Sequence, residues 1–260
     1  QIHIFNKNDF SYLTSIGNFG EGPEEITVMG CLAIDEAHHQ LYVSDHAKQK
    51  IFSYDMDSVM VDSLYKPQVK TAMNETLFPS EYQYINDTLS IAVLIKPTST
   101  STFNQFLGRW NMNTGEMIPM KYTHPDIQKK RITFAASEKA GIYVECYTRH
   151  DLMTICSLDG ELLYNIYGPD WDGGNGNKLQ SFGTVMIGND KIFVSYCGED
   201  YARDSFPTKI LVFDLEGNYL KTLETGYKIS DCCYDSFNNR IILSLNDVVQ
   251  FAYLDIDGII

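Results

Sequence analysis

Six times along this 260-residue chain a short apolar run ends in a turn of the form Asp/Asn-x-Asp/Asn/Gly, and each copy but the last leads into a second strand. The copies are Ile2 to Asn8, Ile51 to Asp57, Trp110 to Asn113, Ile155 to Gly160, Leu211 to Gly217 and Phe251 to Gly258. Their marker residues Asn6, Asp55, Asn111, Asp159, Asp214 and Asp255 are separated by 49, 56, 48, 55 and 41 positions. A period of roughly 40 to 50 residues is the length of one four-stranded propeller blade. The expected fold is therefore all-β: a six-bladed β-propeller of four-stranded antiparallel blades, forming one domain over residues 1–260.

The clearest copy spans Cys31 to Lys66, with Leu32 to Asp35, Leu41 to Asp45, Lys50 to Tyr54 and Val59 to Tyr65 read as strands A to D. Residues 1–17 supply only C-like and D-like strands, so the first blade is expected to be incomplete at the N-terminus. The alternative is a five-bladed ring in which Phe10 to Ile16 completes the last blade. Connections from A to B and from C to D are short, as at Gly188-Asn189-Asp190, and suit tight hairpins. The D-to-A and B-to-C connections are longer, notably Asn18 to Gly30, Gly168 to Phe182 and Cys197 to Lys209. Both classes leave a propeller on one face, and long loops on a rigid scaffold are where binding groups gather.

With 20 Lys and Arg against 34 Asp and Glu, the net charge is −14. A chain so acidic repels phosphate backbones, which excludes nucleic acid as an expected partner. Lys129-Lys130-Arg131 is the one basic cluster and reads as a solvated approach to a strand. No run reaches the length of about 18 to 20 apolar residues needed to span a membrane. The six cysteines lack paired or metal-ligand spacing and read as buried thiols.

Leu41 to Asp55 resembles the NHL repeat, in which strand B ends in Asp and strand C opens with a basic residue and Ile. The segment Phe10 to Ile26, with Gly20-Glu21-Gly22-Pro23-Glu24-Glu25-Ile26 after an outer strand, resembles the six-bladed TolB-like propeller lipoproteins of Bacteroidetes. Ile26 stands where Phe is usual there, and Glu24 where Gly is common. The resemblance implies an extracytoplasmic protein, periplasmic or anchored at the outer membrane, with an N-terminal lipid anchor upstream and no assigned catalytic residues.

On the long-loop face, the recognition candidates are Tyr147, Arg149, His150, Trp171, Tyr196, Glu199, Asp200 and Arg203, offering aromatic stacking and polar orientation. They point to a monomeric, non-enzymatic module binding a protein, peptide or glycan. The Gly20 to Glu25 turn reads as a structural crossover. Gly168 to Asn177 has the oxygen-rich composition of a calcium loop without EF-hand spacing. No cofactor is otherwise expected, calcium being the one candidate. The alternative function is a metal-dependent lactonase of the gluconolactonase or paraoxonase type. Its ligand set does not assemble from Cys31, Tyr82, Thr133, Thr184 and Ser230 at the starts of the inner strands.

Overall fold

The computed structural model describes residues 1–62, 64–99, 101–175, 179–200 and 205–260, with the backbone alone at 179, 180 and 200. These residues group into two compact units, Gln1–Met120 and Lys121–Ile260.

The first unit opens with a hairpin of β1 (Ile2–Phe5) and β2 (Tyr12–Ile16). One four-stranded sheet follows, built from β3 (Met29–Asp35), β4 (Gln40–Asp45), β5 (Lys50–Asp55) and β6 (Gln68–Ala72), with helix α1 (Met56–Val61) between the last two strands. A second comprises β7 (Phe78–Asn86), β8 (Leu89–Pro97), β9 (Phe103–Trp110) and β10 (Met117–Pro119). The second unit holds a sheet of β11 (Ile132–Ser137), β12 (Ile142–Tyr147), β13 (Leu152–Ser157) and β14 (Leu162–Tyr167). Beside it stands a sheet of β15 (Leu179–Gly188), β16 (Lys191–Asp200), β17 (Lys209–Asp214) and β18 (Tyr219–Glu224). The three-stranded sheet of β19 (Ile229–Asp235), β20 (Arg240–Leu245) and β21 (Phe251–Asp255) completes the unit. Every named strand pairing is antiparallel, and strands within a sheet follow chain order.

The repeated turn has a physical cause. Asn6, Asn111, Asp214 and Asp255 each accept, through the side-chain oxygen, the backbone N–H two residues on, at 2.9 to 3.1 Å. This Asx geometry reverses the chain after strand C with a side-chain oxygen standing in for a backbone acceptor. Asp55 uses the same reach differently, accepting from Ser58 N–H at 2.7 Å as the N-cap of α1. The strand expected over Val59 to Tyr65 is thus corrected: the chain makes a helical turn there, and the outer strand is β6. At Asn189 and Asp190, consecutive positive φ values of 49° and 53° give the expected tight hairpin.

Central strands are buried on both faces, so alternate residues serve two cores. On β4, Tyr42 packs toward the β7–β10 sheet, while Leu41 and Val43 pack with Ile2, Ile4 and Ile16 of the first hairpin. On β16, Ile192 and Val194 meet Val144 and Ile155 of the preceding sheet, while Phe193 packs with Ile229 and Ile241 of the following one. Trp110, 1 % exposed, anchors the first unit edge-on to Tyr82 with ring centroids 5.1 Å apart. No helix among the described residues is long and apolar enough to cross a membrane.

Candidate functional site

Four of the recognition candidates lie around one end of the β11–β14 sheet in the second unit. Tyr147 ends β12, Arg149 and His150 form its turn into β13, and Trp171 lies on the loop after β14. Tyr143, Glu145 and Tyr147 alternate on one face of β12, opposite the face of Val144 and Cys146 that enters the core. Glu145 is wholly buried, and its Oε1 lies 2.6 Å from Lys130 Nζ. Tyr147 donates its hydroxyl to Glu145 Oε2 at 3.2 Å. The next strands extend the polar row: Thr154, opposite Glu145, donates to Asn165 Oδ1 at 2.8 Å, and Asn165 Nδ2 donates to the Tyr122 hydroxyl at 2.8 Å.

Lys130 is therefore not a solvated residue of a basic run but half of a buried ion pair. Lys129 and Arg131 line a cleft of about 350 Å³ together with Asp126, Gln128, Arg149, His150, Gly174 and Asn175. His150 is 8 % exposed, and its Nδ1 has no hydrogen-bond partner among the described residues. Asp172 Oδ1 stands 4.0 Å from that nitrogen. Burial pushes the His150 pKa below the ordinary histidine value, and the charge of Asp172 only partly offsets it.

Trp171 is half-buried against three rings, with centroid distances of 5.0 Å to Tyr167, 5.4 Å to His124 and 6.2 Å to His150. His124 accepts the Asp126 N–H at Nδ1, which leaves Nε2 to donate to the Tyr167 hydroxyl at 3.1 Å. That is the neutral tautomer, in keeping with a pKa lowered by burial. The loop is tied back by Asp151, which is buried and accepts from Asp170 N–H at 3.0 Å. Burial holds the Asp151 carboxyl above the usual carboxylate range despite that bond. Its charge and burial together also push up the hydroxyl of Tyr196, burial being the larger cause.

Tyr196, on β16, adjoins this cluster through Asp151. Glu199 and Asp200 lie not in a loop but at the end of β16, paired with Gln180 and Leu179 of β15, because the hairpin continues past bulges at Gln180–Phe182 and Phe182–Val185. Arg203 lies outside the described residues, as do Gly176 and Asn177 of the oxygen-rich loop. In that loop Asp172 Oδ1 accepts Gly174 N–H at 3.1 Å. Among the described residues no three His, Cys, Asp or Glu side chains converge as a metal site. The sequence reading passed over His124 and the partner of Lys130; neither carries a signal in its immediate neighbours.

The Gly20 to Glu25 turn is structural. Glu25 Oε2 accepts Gly22 N–H at 2.8 Å, Lys48 Nζ donates to the Gly22 and Glu25 carbonyls, and Glu24 pairs with Lys66 at 2.8 Å. Buried Asp45 accepts the N–H groups of Thr27, Val28, Ala47 and Lys48. Burial alone would raise its pKa, but these four donors outweigh it and hold the carboxyl below the usual range. At the starts of the inner strands, side chains bind neighbouring sheets. Tyr82 N–H donates to Cys31 Sγ at 3.4 Å, Thr133 Oγ1 to the Gly183 carbonyl at 2.5 Å, and Thr184 Oγ1 to Asp231 at 2.6 Å.

The family described as DUF5128, 6-bladed beta-propeller, matches residues 1–146, more than half of the chain. No curated protein matches the chain. Among solved structures, a member of the duf4221 family from Bacteroides vulgatus is similar over 97 % of this chain and 86 % of its own, at 10 % identity and a TM-score of 0.62. A protein of unknown function from Bacteroides caccae is similar over 98 % and 86 %, at 12 % identity and a TM-score of 0.56. The extracellular domain of a protein described as a one component system of B. thetaiotaomicron is similar over 89 % of this chain, at 13 % identity and a TM-score of 0.55; this chain spans 28 % of that one. These likenesses bear on fold: an all-β propeller of four-stranded antiparallel sheets. Five sheets of three or four strands are present among the described residues, the count of the five-bladed alternative. The family description is six-bladed, and the β1–β2 hairpin carries the first copy of the turn marker, the one outside those five sheets.

Proposed function

Because the chain belongs to the DUF5128 family of 6-bladed beta-propellers, we propose that it is an extracytoplasmic binding propeller that recognises a protein, peptide or glycan through its long loops. The observation that carries this reading is the meeting of Arg149, His150 and Trp171 on two separate loops beside a polar cleft. Rigid strands behind them, tied by the Lys130–Glu145 pair, supply the preorganisation that binding sites need.

The extracellular domain among the similar structures supports the location. TolB-like and NHL-like character, with a lipid anchor upstream, belongs to the same proposal and rests on the turn at 20–26 and the strands at 41–55.

The test presents immobilised protein with solubilised cell-envelope material and compares retention by wild type, Trp171→Ala and Arg149→Ala. Retention by wild type and loss in both variants, at unchanged circular dichroism, is expected. Equal retention by all three would remove this face from the binding surface. Hydrolysis of a lactone by the purified protein with added calcium would transfer the function to the hydrolase alternative.

A further inference from the structure

We propose that the cleft formed by residues 126–131, the β12–β13 turn and Gly174 and Asn175 binds the anionic group of an acidic saccharide, a carboxylate or a sulfate ester on a sugar ring. The inference rests on the binding reading above and names the chemistry of its ligand.

Charge is the first observation. The whole chain carries −14, yet the cleft is lined by Lys129, Arg131 and Arg149 with the carboxylate of Asp126, and Asp172 stands behind His150. A local gathering of cations in so acidic a molecule draws an anion to one place. The planar guanidinium group bonds carboxylate and sulfate oxygens in pairs, which an ammonium does not.

Orientation is the second. Lys130 is drawn inward to Glu145 at 2.6 Å, whereas Lys129 and Arg131 on either side line the cleft. The buried pair thus fixes which cations a ligand meets.

The third is an unsatisfied polar atom. His150 lines the cleft, is more than nine-tenths buried, and leaves Nδ1 without a hydrogen-bond partner among the described residues. A buried polar atom without a partner is unfavourable, and a hydroxyl or carboxyl in the cleft would complete it.

The lining decides between a sugar and a peptide. Small-molecule sites are mostly apolar, and peptide anchors sit in apolar pockets. Here Gln128, Asn175, Gly174 and the charged groups make up the wall, with no aliphatic side chain among the residues named. Such a wall matches a polyhydroxylated ring, and the volume of about 350 Å³ falls within the usual range for small-ligand sites of about 300–1,000 Å³.

The test is calorimetric titration of the whole protein with a short oligogalacturonate, a chondroitin sulfate oligosaccharide, neutral maltotriose and polyglutamate, at low and high salt. Binding of either acidic saccharide is expected, weakened by salt, with affinity reduced about tenfold or more in Arg131→Ala and in Arg149→Ala. Arg131→Glu, an exposed change checked by circular dichroism, is expected to abolish it. The carboxylate and sulfate arms distinguish the two anions. Equal affinity for maltotriose, or indifference to the arginine changes, overturns the anion assignment while the binding reading stands. Polyglutamate binding as well as the saccharides overturns the sugar. Absence of binding here, with envelope material still retained through Trp171, overturns only this inference; absence of both overturns the reading beneath it.

Discussion

Glu145 shows how much one side chain decides at the candidate site. It is fully buried and holds Lys130, which faces it from the segment before β11. Glu145→Leu strands an ammonium in the interior, and the expected cost is about 3–5 kcal/mol, seen as a lower urea midpoint at unchanged m-value. Adding Lys130→Met is expected to return most of that loss; a double variant as unstable as the single one would show that the pair is not the cause. Two histidines give a pH signature. In the unfolded chain His124 and His150 take up protons near 6.5, whereas burial in the fold lowers both pKa values. Below 6.5 the unfolded state therefore gains protons first, so the contribution is intact above that pH and falls as pH drops toward the folded values. Asp151, with its raised carboxyl, acts in the opposite sense at lower pH. His150→Phe isolates the histidine effect: its melting temperature is expected to fall less than that of wild type between neutral pH and about pH 5. Arg149, His150 and Trp171 stand out in the sequence because polar and aromatic residues gather there between strands. Glu145 does not. It lies in a strand buried throughout, and its partner is 15 residues away with no local pattern linking them.

At the level of elements, the same reach of an Asp side chain makes both an Asx turn and a helix N-cap. That is why the strand expected at Val59 to Tyr65 proves to be α1 followed by loop, with β-branched Val59 and Val61 masking a helix of six residues. The hairpin β15–β16 was cut short for another reason: its register shifts break the alternation on which a strand is recognised. The loop after β14 depends on Gly168. A Cβ there would collide with the Asp151 carboxylate, the group that accepts the Asp170 N–H and holds the loop down. Gly168→Ala is expected to destabilise the protein by about 1–3 kcal/mol and to weaken ligand retention, by thermal melting and the envelope assay. Adding Asp151→Ala removes the collision without restoring the tether, so stability should recover more than binding. Recovery of both together would show that the tether is not needed.

Across the molecule, the repeat period made the sheets and their order legible, while the number of blades depends on packing that no local turn encodes. The thiols bear on the proposed compartment. All six cysteines are described and none is in a disulfide, although an oxidising environment favours pairing. Burial protects three of them: it pushes the Cys31 and Cys156 thiols up to about 11 and Cys232 up to about 12, and the reactive thiolate is scarce at such values. Adjacent Cys232 and Cys233 face opposite ways, one buried and one exposed. A thiol reagent is expected to label Cys233 in the native protein and Cys146, Cys156 and Cys232 only after denaturation, with the melting temperature unchanged by reductant. A melting temperature lowered by reductant would contradict this. The two tryptophans also fall one to each unit: Trp110 is sealed in the core of the first, and Trp171 is half-exposed among histidines in the second. The chain thus carries two built-in optical reporters. In Trp171→Phe the remaining emission follows the unfolding of residues 1–120 alone, and in Trp110→Phe it follows the occupancy and protonation of the loop face.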